Sequence, residues 1–150
     1  MSTPTTELEK RIFTDIPLAR HIGVRVVQFD GRTLVLSAPL AANSNHKGTA
    51  FGGSLFSLAV LAGWGLLTLK LAERGVEGEL VVQESRVRYL LPVTGELVAR
   101  ASLPEDRELD RFFIAVDRYR KGRVRLNVSI EHDGREAVRF EGTFALLNVS

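Results

Sequence analysis

The longest unbroken pattern in the chain runs from Gly48 to Leu69, where no charged residue occurs. A stretch that is apolar on every side predicts a buried helix, not an amphipathic surface one. Its prelude, Asn45-His46-Lys47-Gly48-Thr49-Ala50-Phe51-Gly52-Gly53-Ser54, is polar and glycine-rich and reads as a loop. The helix body is expected from Leu55 to Leu69, stopping near Ala72-Glu73-Arg74 with Gly75 just past its end. Ahead of it, Leu8, Ile12 and Ile16 recur at helical spacing behind a capping box, Thr6-Glu7-Leu8-Glu9, and Pro17 limits the element. Gly23 to Phe29 is rich in valine and predicts a strand. Asp30-Gly31 is a hairpin signal, and Thr33 to Leu40 returns with Leu34, Leu36 and Ala38 on one face.

Beyond the helix the period changes to two. Leu80 to Leu91 is one strand, with Val81, Val87, Tyr89 and Leu91 expected on the core face, interrupted by Gln83 and Ser85. Glu84, Arg86 and Arg88 occupy the other face. Pro92 to Gly95 turns the chain, and Leu97, Ala99, Ala101 and Leu103 alternate in the next strand. Pro104 to Asp110 is a charged connector. Leu109, Phe112, Phe113 and Val116 fit either a short helical stripe or an irregular strand, and the pattern does not separate the two. A basic turn, Arg118 to Arg123, precedes a cleanly alternating strand of Val124, Leu126, Val128 and Ile130. Asp133-Gly134 is a second hairpin signal, and Val138, Phe140, Phe144 and Leu146 form the last strand. Hairpin-linked strands with one segregated helix indicate the α+β class. An antiparallel sheet curled around one long central helix, with a short N-terminal helix, is the hotdog architecture. One domain over 1-150 is expected.

Composition changes this picture little. The chain has 150 residues, 45% hydrophobic and 25% charged, with no cysteine. An uncharged stretch of about 20 residues is long enough to cross a bilayer. Glycines and hydroxyls dilute this one and strands follow it directly, so a core helix is the better reading. The N-terminus Met1-Ser2-Thr3-Pro4 lacks the basic and apolar regions of a signal peptide, which points to the cytoplasm. The formal net charge is +2 and the pI about 9.3. That mild bias suits an acidic partner or a phosphorylated ligand. The basic residues lack interleaved aromatics, so nucleic acid is a poor fit. Three scattered histidines predict no metal site, and His21 and His132 read as surface residues. Gly48 to Gly53 lacks the Gly-Lys-Ser/Thr ending of a phosphate loop.

Asn45, the Gly52-Gly53 pair and the following Ser54-Leu55-Phe56-Ser57-Leu58-Ala59 resemble the PaaI-type hotdog thioesterases. Their pattern is Asn, a short spacer, His-Gly-Gly, then a helix carrying an Asp. In this chain the His position is Phe51 and the Asp position is Val60. Taken with Gly63-Trp64-Gly65, the whole stretch is more similar to the YiiD C-terminal domain family of thioesterase-like proteins, from about Ile16 to the C-terminus. Malonyl-acyl-carrier-protein decarboxylase activity is known within that family. The resemblance therefore implies a decarboxylase yielding acetyl-acyl-carrier protein and carbon dioxide, feeding the start of fatty-acid synthesis. It also implies a homodimer or dimer of dimers with pockets at the subunit boundary, acting on a malonyl thioester of carrier protein or coenzyme A.

The chemistry agrees with that implication. Hydrolysis of a thioester needs a nucleophile or a base-activated water, which Val60 cannot supply. Decarboxylation needs donors where enolate charge develops. Asn45 offers a side-chain N–H, and the Gly52 and Gly53 amides lie at a helix N-terminus whose dipole favours an anion. No cofactor is required. His46, Phe51, Ser54, Val60 and Glu84 are expected around the substrate, His46 as a candidate proton donor. Glu84 is the leading carboxylate if the reaction is hydrolysis, and a non-catalytic acyl-thioester binding module is the third reading. Arg86 and Arg88, with Arg120, Lys121 and Arg123, are candidates for docking the phosphopantetheine phosphate or the acidic carrier. Each has a plainer role: Asn45 as a turn cap, the glycines for close packing, Glu84 in an ion pair, and the basic turn as a solvated surface.

Overall fold

The computed structural model describes residues 2–150. Two helices open the chain, α1 (Pro4–Asp15) and α2 (Leu18–Ile22), followed by the hairpin β1 (Arg25–Phe29) and β2 (Thr33–Ala38). The central helix α3 (Gly52–Glu73) leads into β3 (Glu79–Tyr89) and β4 (Leu97–Ser102). Helix α4 (Asp106–Tyr119) separates these from β5 (Gly122–His132) and β6 (Arg135–Leu147). The six strands form one antiparallel sheet in the order β1-β2-β4-β5-β6-β3, curled around α3. This is the expected hotdog fold.

Helix α3 is the core. Leu58, Ala62 and Leu66 belong to one buried cluster with Leu34, Leu36, Ala99, Leu126, Phe140 and Phe144 from the sheet. It is long and apolar enough to span a membrane, yet 67% of its most apolar window is buried by the sheet and α1. Its glycines set the helix–sheet distance. A Cβ on Gly63 would stand 2.6 Å from Phe144 Cζ, and one on Gly65 would stand 2.9 Å from Leu34 Cδ2. Between them, Trp64 Nε1 donates to Leu80 O at 3.0 Å and ties α3 to β3. The helix ends at Glu73 with Arg74 as its C-cap, and Gly75 follows with φ +66° at the expected C′ position.

Four local expectations change. The first helix is capped at Thr3, whose side chain accepts from Thr6 N, one turn before the predicted capping box. Proline at the first helical position favours that earlier start. A second short helix, α2, follows Pro17. The stretch left open between stripe and strand is α4, which also absorbs the end of the charged connector. Its acidic first turn, Asp106 and Glu108, suits a helix N-terminus. Finally, β3 carries a bulge: Val82 pairs with Phe144 but Glu84 with Thr143, leaving Gln83 extra. A bulge reverses the alternation. Leu80 and Val82 therefore share the inward face with Val87 and Tyr89, while Val81 lies outside with Glu84, Arg86 and Arg88.

Candidate functional site at the entrance of the central helix

Two asparagines shape the loop that enters α3. Asn43 is 3% exposed and its Nδ2 donates to Ile22 O and Pro39 O, each at 2.8 Å. Its carbonyl accepts from Phe51 N at 2.7 Å. Sequence reasoning overlooked Asn43, since nothing in the pattern separates it from its neighbour. Asn45 builds the outer turn. Its Oδ1 accepts from Lys47 N at 2.8 Å and Thr49 N at 3.1 Å, and its Nδ2 donates to Thr49 Oγ1 at 2.8 Å. One of the two Nδ2 protons remains free for a ligand. Ala50 N donates to Val93 O at 2.8 Å, clamping this loop to the connection after β3.

Phe51 is the N-cap of α3, with φ −67° and ψ 135°. Its carbonyl accepts from Ser54 N and Leu55 N, leaving the Gly52 and Gly53 N–H groups without an acceptor among the described residues. The Phe51 ring, 57% exposed, folds over Gly53: a Cβ there would lie 2.4 Å from Phe51 Cε2. The absence of a side chain at Gly53 is what lets the ring rest there. Tyr89 closes the other side. Its hydroxyl donates to Gly52 O at 3.2 Å, and its ring would touch a Gly52 Cβ at 3.6 Å. The sequence placed Tyr89 on a core face, but it is 54% exposed. Ala50, Gly52, Leu55, Tyr89 and the Leu90–Val93 segment enclose a cleft of about 330 Å³ with no carboxylate in its lining.

The structure gathers some candidate residues and separates others. Asn45, His46, Phe51, Gly52, Gly53 and Ser54 share the entrance, with His46 exposed and Ser54 half-buried. Val60 is half-buried on a stripe with Gly53, Ser57 and Trp64 that the sheet leaves partly uncovered. Glu84 stands on the outer face of β3 and does not line the cleft. Arg88 adjoins Tyr89, with Arg86 two residues further along the same face. Arg120, Lys121 and Arg123 lie at the opposite end of the sheet. Arg88 is opposite Arg139 and Arg123 opposite Ala145 on β6, a gap of roughly 20 Å at about 3.4 Å per residue. The two basic groups are thus separate. His132 is not a free surface residue: its Nε2 lies 2.8 Å from Thr94 Oγ1, beneath Gly95, and pins the β3–β4 turn.

The model of the YiiD_C family, "Putative thioesterase (yiiD_Cterm)", matches residues 5–148. The chain belongs to the YiiD_C family. Among solved structures, a protein of unknown function from Chlorobaculum tepidum is 36% identical, with a TM-score of 0.91 over 97% of both chains. A putative thioesterase from Shewanella oneidensis is 28% identical, with a TM-score of 0.86 over 99% of this chain and 100% of that one. A probable thioesterase from Pseudomonas aeruginosa shares the fold at 22% identity, with a TM-score of 0.82 over 98% of this chain and 97% of that one. In this YiiD_C member, thioesterase-like architecture comes with an entrance built from backbone donors.

Proposed function

We propose that this YiiD_C protein is a cytoplasmic enzyme that decarboxylates a malonyl thioester, with malonyl-acyl-carrier protein as substrate and acetyl-acyl-carrier protein and carbon dioxide as products. The observation that carries this reading is the pair of free amides at Gly52 and Gly53 beside a cleft without a carboxylate. Loss of carbon dioxide leaves the electron pair on the thioester as an enolate. Its oxygen is held by the Gly52 and Gly53 N–H groups and the free Asn45 Nδ2 proton, where the α3 dipole favours negative charge. A proton then reaches the enolate carbon, from water or from His46, and the acetyl thioester forms. The working unit is a homodimer, or a dimer of dimers. Phe51, Val82, Tyr89 and Leu90 are exposed apolar side chains at the entrance and along β3, which suits a second copy closing the cleft. Arg86 and Arg88, near the cleft, take the docking role for the carrier's phosphopantetheine phosphate, with Arg120, Lys121 and Arg123 too remote to share that contact.

The family description favours a second reading, hydrolysis of an acyl thioester. That reaction needs a base from outside the cleft lining seen in one chain. Mass spectrometry of malonyl-, acetyl- and octanoyl-carrier protein after incubation with the enzyme separates the readings. Conversion of malonyl- to acetyl-carrier protein with the thioester intact supports decarboxylation. Free carrier protein supports hydrolysis, and three unchanged samples support a binding module. Asn45→Asp then tests the mechanism. Aspartate keeps both Oδ1 contacts and lets the Thr49 hydroxyl donate in return, so the loop persists while the amide donor is lost. Turnover is expected to fall on the order of 10²–10³-fold; full activity in a folded Asn45→Asp enzyme refutes the donor role.

A further inference from the structure

The basic turn takes no part in the chemistry at the α3 entrance, yet the chain concentrates its positive charge there. From Arg118 to Arg125 five residues are cationic and none is acidic. The whole chain carries +2, so the other residues together carry −3. None of the five cations forms an ion pair among the described residues.

Two of these cations border a cavity. Val124 and Leu126 are buried, so alternation puts Arg123 and Arg125 on the outer face of the sheet. Arg123 is opposite Ala145, which is opposite Val81 on β3. Ala145 is 2% exposed. It forms the floor of a cavity of about 440 Å³, walled by Ala115 and Tyr119 of α4, by Lys121 and Arg123, and by Gln83 at the bulge of β3. Small-molecule sites span about 300–1,000 Å³. No carboxylate lines this one. Ala115 and Tyr119, four residues apart, share a side of α4, whereas Asp117, two from each, projects elsewhere. Glu84 lies one row along the sheet, across Thr143 from Arg125. Glu79 is engaged by Asn148 Nδ2 at 2.8 Å. The Tyr119 ring is 61% exposed and has no stacking partner among the described residues. The turn itself is held in place. Arg120 N donates to Val116 O at 2.9 Å, and Gly122 sits so close to Phe112 and Val116 that a Cβ there would meet both at 3.0 Å.

We propose that this cavity binds a nucleotide, with its phosphates on Lys121 and Arg123 and its planar base on the Tyr119 ring. A simple anion would use the two cations and leave the ring and the apolar floor bare. A neutral aromatic molecule would leave both cations unpaired. A nucleotide satisfies both, since a guanidinium and an ammonium hold phosphate oxygens by charge-assisted hydrogen bonds and a base stacks on an aromatic side chain. The seat is concave, which suits a small molecule better than the flat surface of an acidic protein. It does not depend on the reaction proposed for the α3 entrance.

Isothermal titration calorimetry of the full-length protein with ATP, inorganic tripolyphosphate and coenzyme A tests this. ATP should bind saturably at one site per chain, and tripolyphosphate about tenfold more weakly, the difference being the stacked base. Tyr119→Ala should weaken ATP about tenfold and leave tripolyphosphate unchanged. The double variant Lys121→Glu/Arg123→Glu should weaken both by about tenfold or more. All three side chains are exposed, so the variants should fold. Coenzyme A identifies the source of the nucleotide. If it binds at least as tightly as ATP and loses that through the same substitutions, the nucleotide is one carried by a thioester substrate; if it binds more weakly, the site serves a free nucleotide. Wild-type protein that holds ATP no more tightly than tripolyphosphate has no seat for a base, which overturns the proposal. So does ATP binding that survives Lys121→Glu/Arg123→Glu, or the absence of saturable binding by any of the three.

Discussion

Replacing Gly63 by alanine sets two effects of known size against each other. Alanine is the better helix former, by about 0.8–1.0 kcal/mol. The added methyl, however, would lie 2.6 Å from Phe144 Cζ and 2.8 Å from Phe144 Cε2. Carbon atoms in contact prefer about 3.5–4.0 Å, so the ring must retreat by about 1 Å. It has nowhere to go. Phe144 is 0% exposed, and the next glycine along β6, Gly142, is itself crowded by Phe140 and Phe144. Overpacking of this kind costs about 1–3 kcal/mol, occasionally more. The steric cost should win, and Gly63→Ala should lose about 1–2 kcal/mol net. For a chain of this size each kcal/mol moves the midpoint by about 2–4 °C, so thermal unfolding followed by circular dichroism should show a drop of several degrees. Shortening the ring in Gly63→Ala/Phe144→Leu should recover part of it. A single variant melting at or above the wild type would refute the claim that this glycine fixes the helix–sheet distance.

Gly53→Ala should behave oppositely. Its clash is with the exposed Phe51 ring, which is free to swing away, so stability should stay within about 1 kcal/mol. Turnover should fall about tenfold or more as the ring crosses the Gly52–Gly53 amides; unchanged kcat/KM would remove Phe51 from the site. Glu9→Ala strips the acceptor, 2.9 Å away, from Val26 N–H and should cost about 1 kcal/mol in urea unfolding, with a rise in concentration-dependent association that a purely local effect would not produce. Asp30 accepts from Arg32 N at 2.9 Å and Thr33 N at 2.8 Å, which holds its carboxyl below the usual aspartate value. A lowered folded-state pKa stabilises above the unfolded value and is lost as pH falls through the folded one. Melting temperatures measured against pH should therefore show Asp30→Asn less stable than wild type at neutrality, with the gap closing below about pH 4; a gap that persists in acid would contradict this.

The sheet and its helix were legible because their periods are unambiguous. An apolar run with no face, four alternating strands and two Asp-Gly or equivalent hairpins leave little choice of architecture. What escaped was decided by tertiary contact. The stripe Leu109, Phe112, Phe113 and Val116 was readable, but only packing against β5, where Gly122 receives Phe112 and Val116, decides for a helix. The bulge at Gln83 leaves no mark in composition, so the inward face of β3 was misassigned at Val81. At the site, the glycine pair and Asn45 were visible through their motif. Asn43 and Tyr89 were not, because one acts by burial in a loop and the other by a single contact with a backbone carbonyl across the fold.

The carboxylate of Glu9 on Val26 has a consequence for how far the protein can assemble. A sheet with two open edges can add copies at both and has no natural end. Here one edge is stoppered from within the chain, so each molecule has valence one for strand addition. A unit of valence one offers no second edge from which a strand-on-strand array could grow. The same side chain that holds α1 in place thus acts as a chain terminator, letting the molecule keep a long unpaired strand without becoming the seed of a fibre.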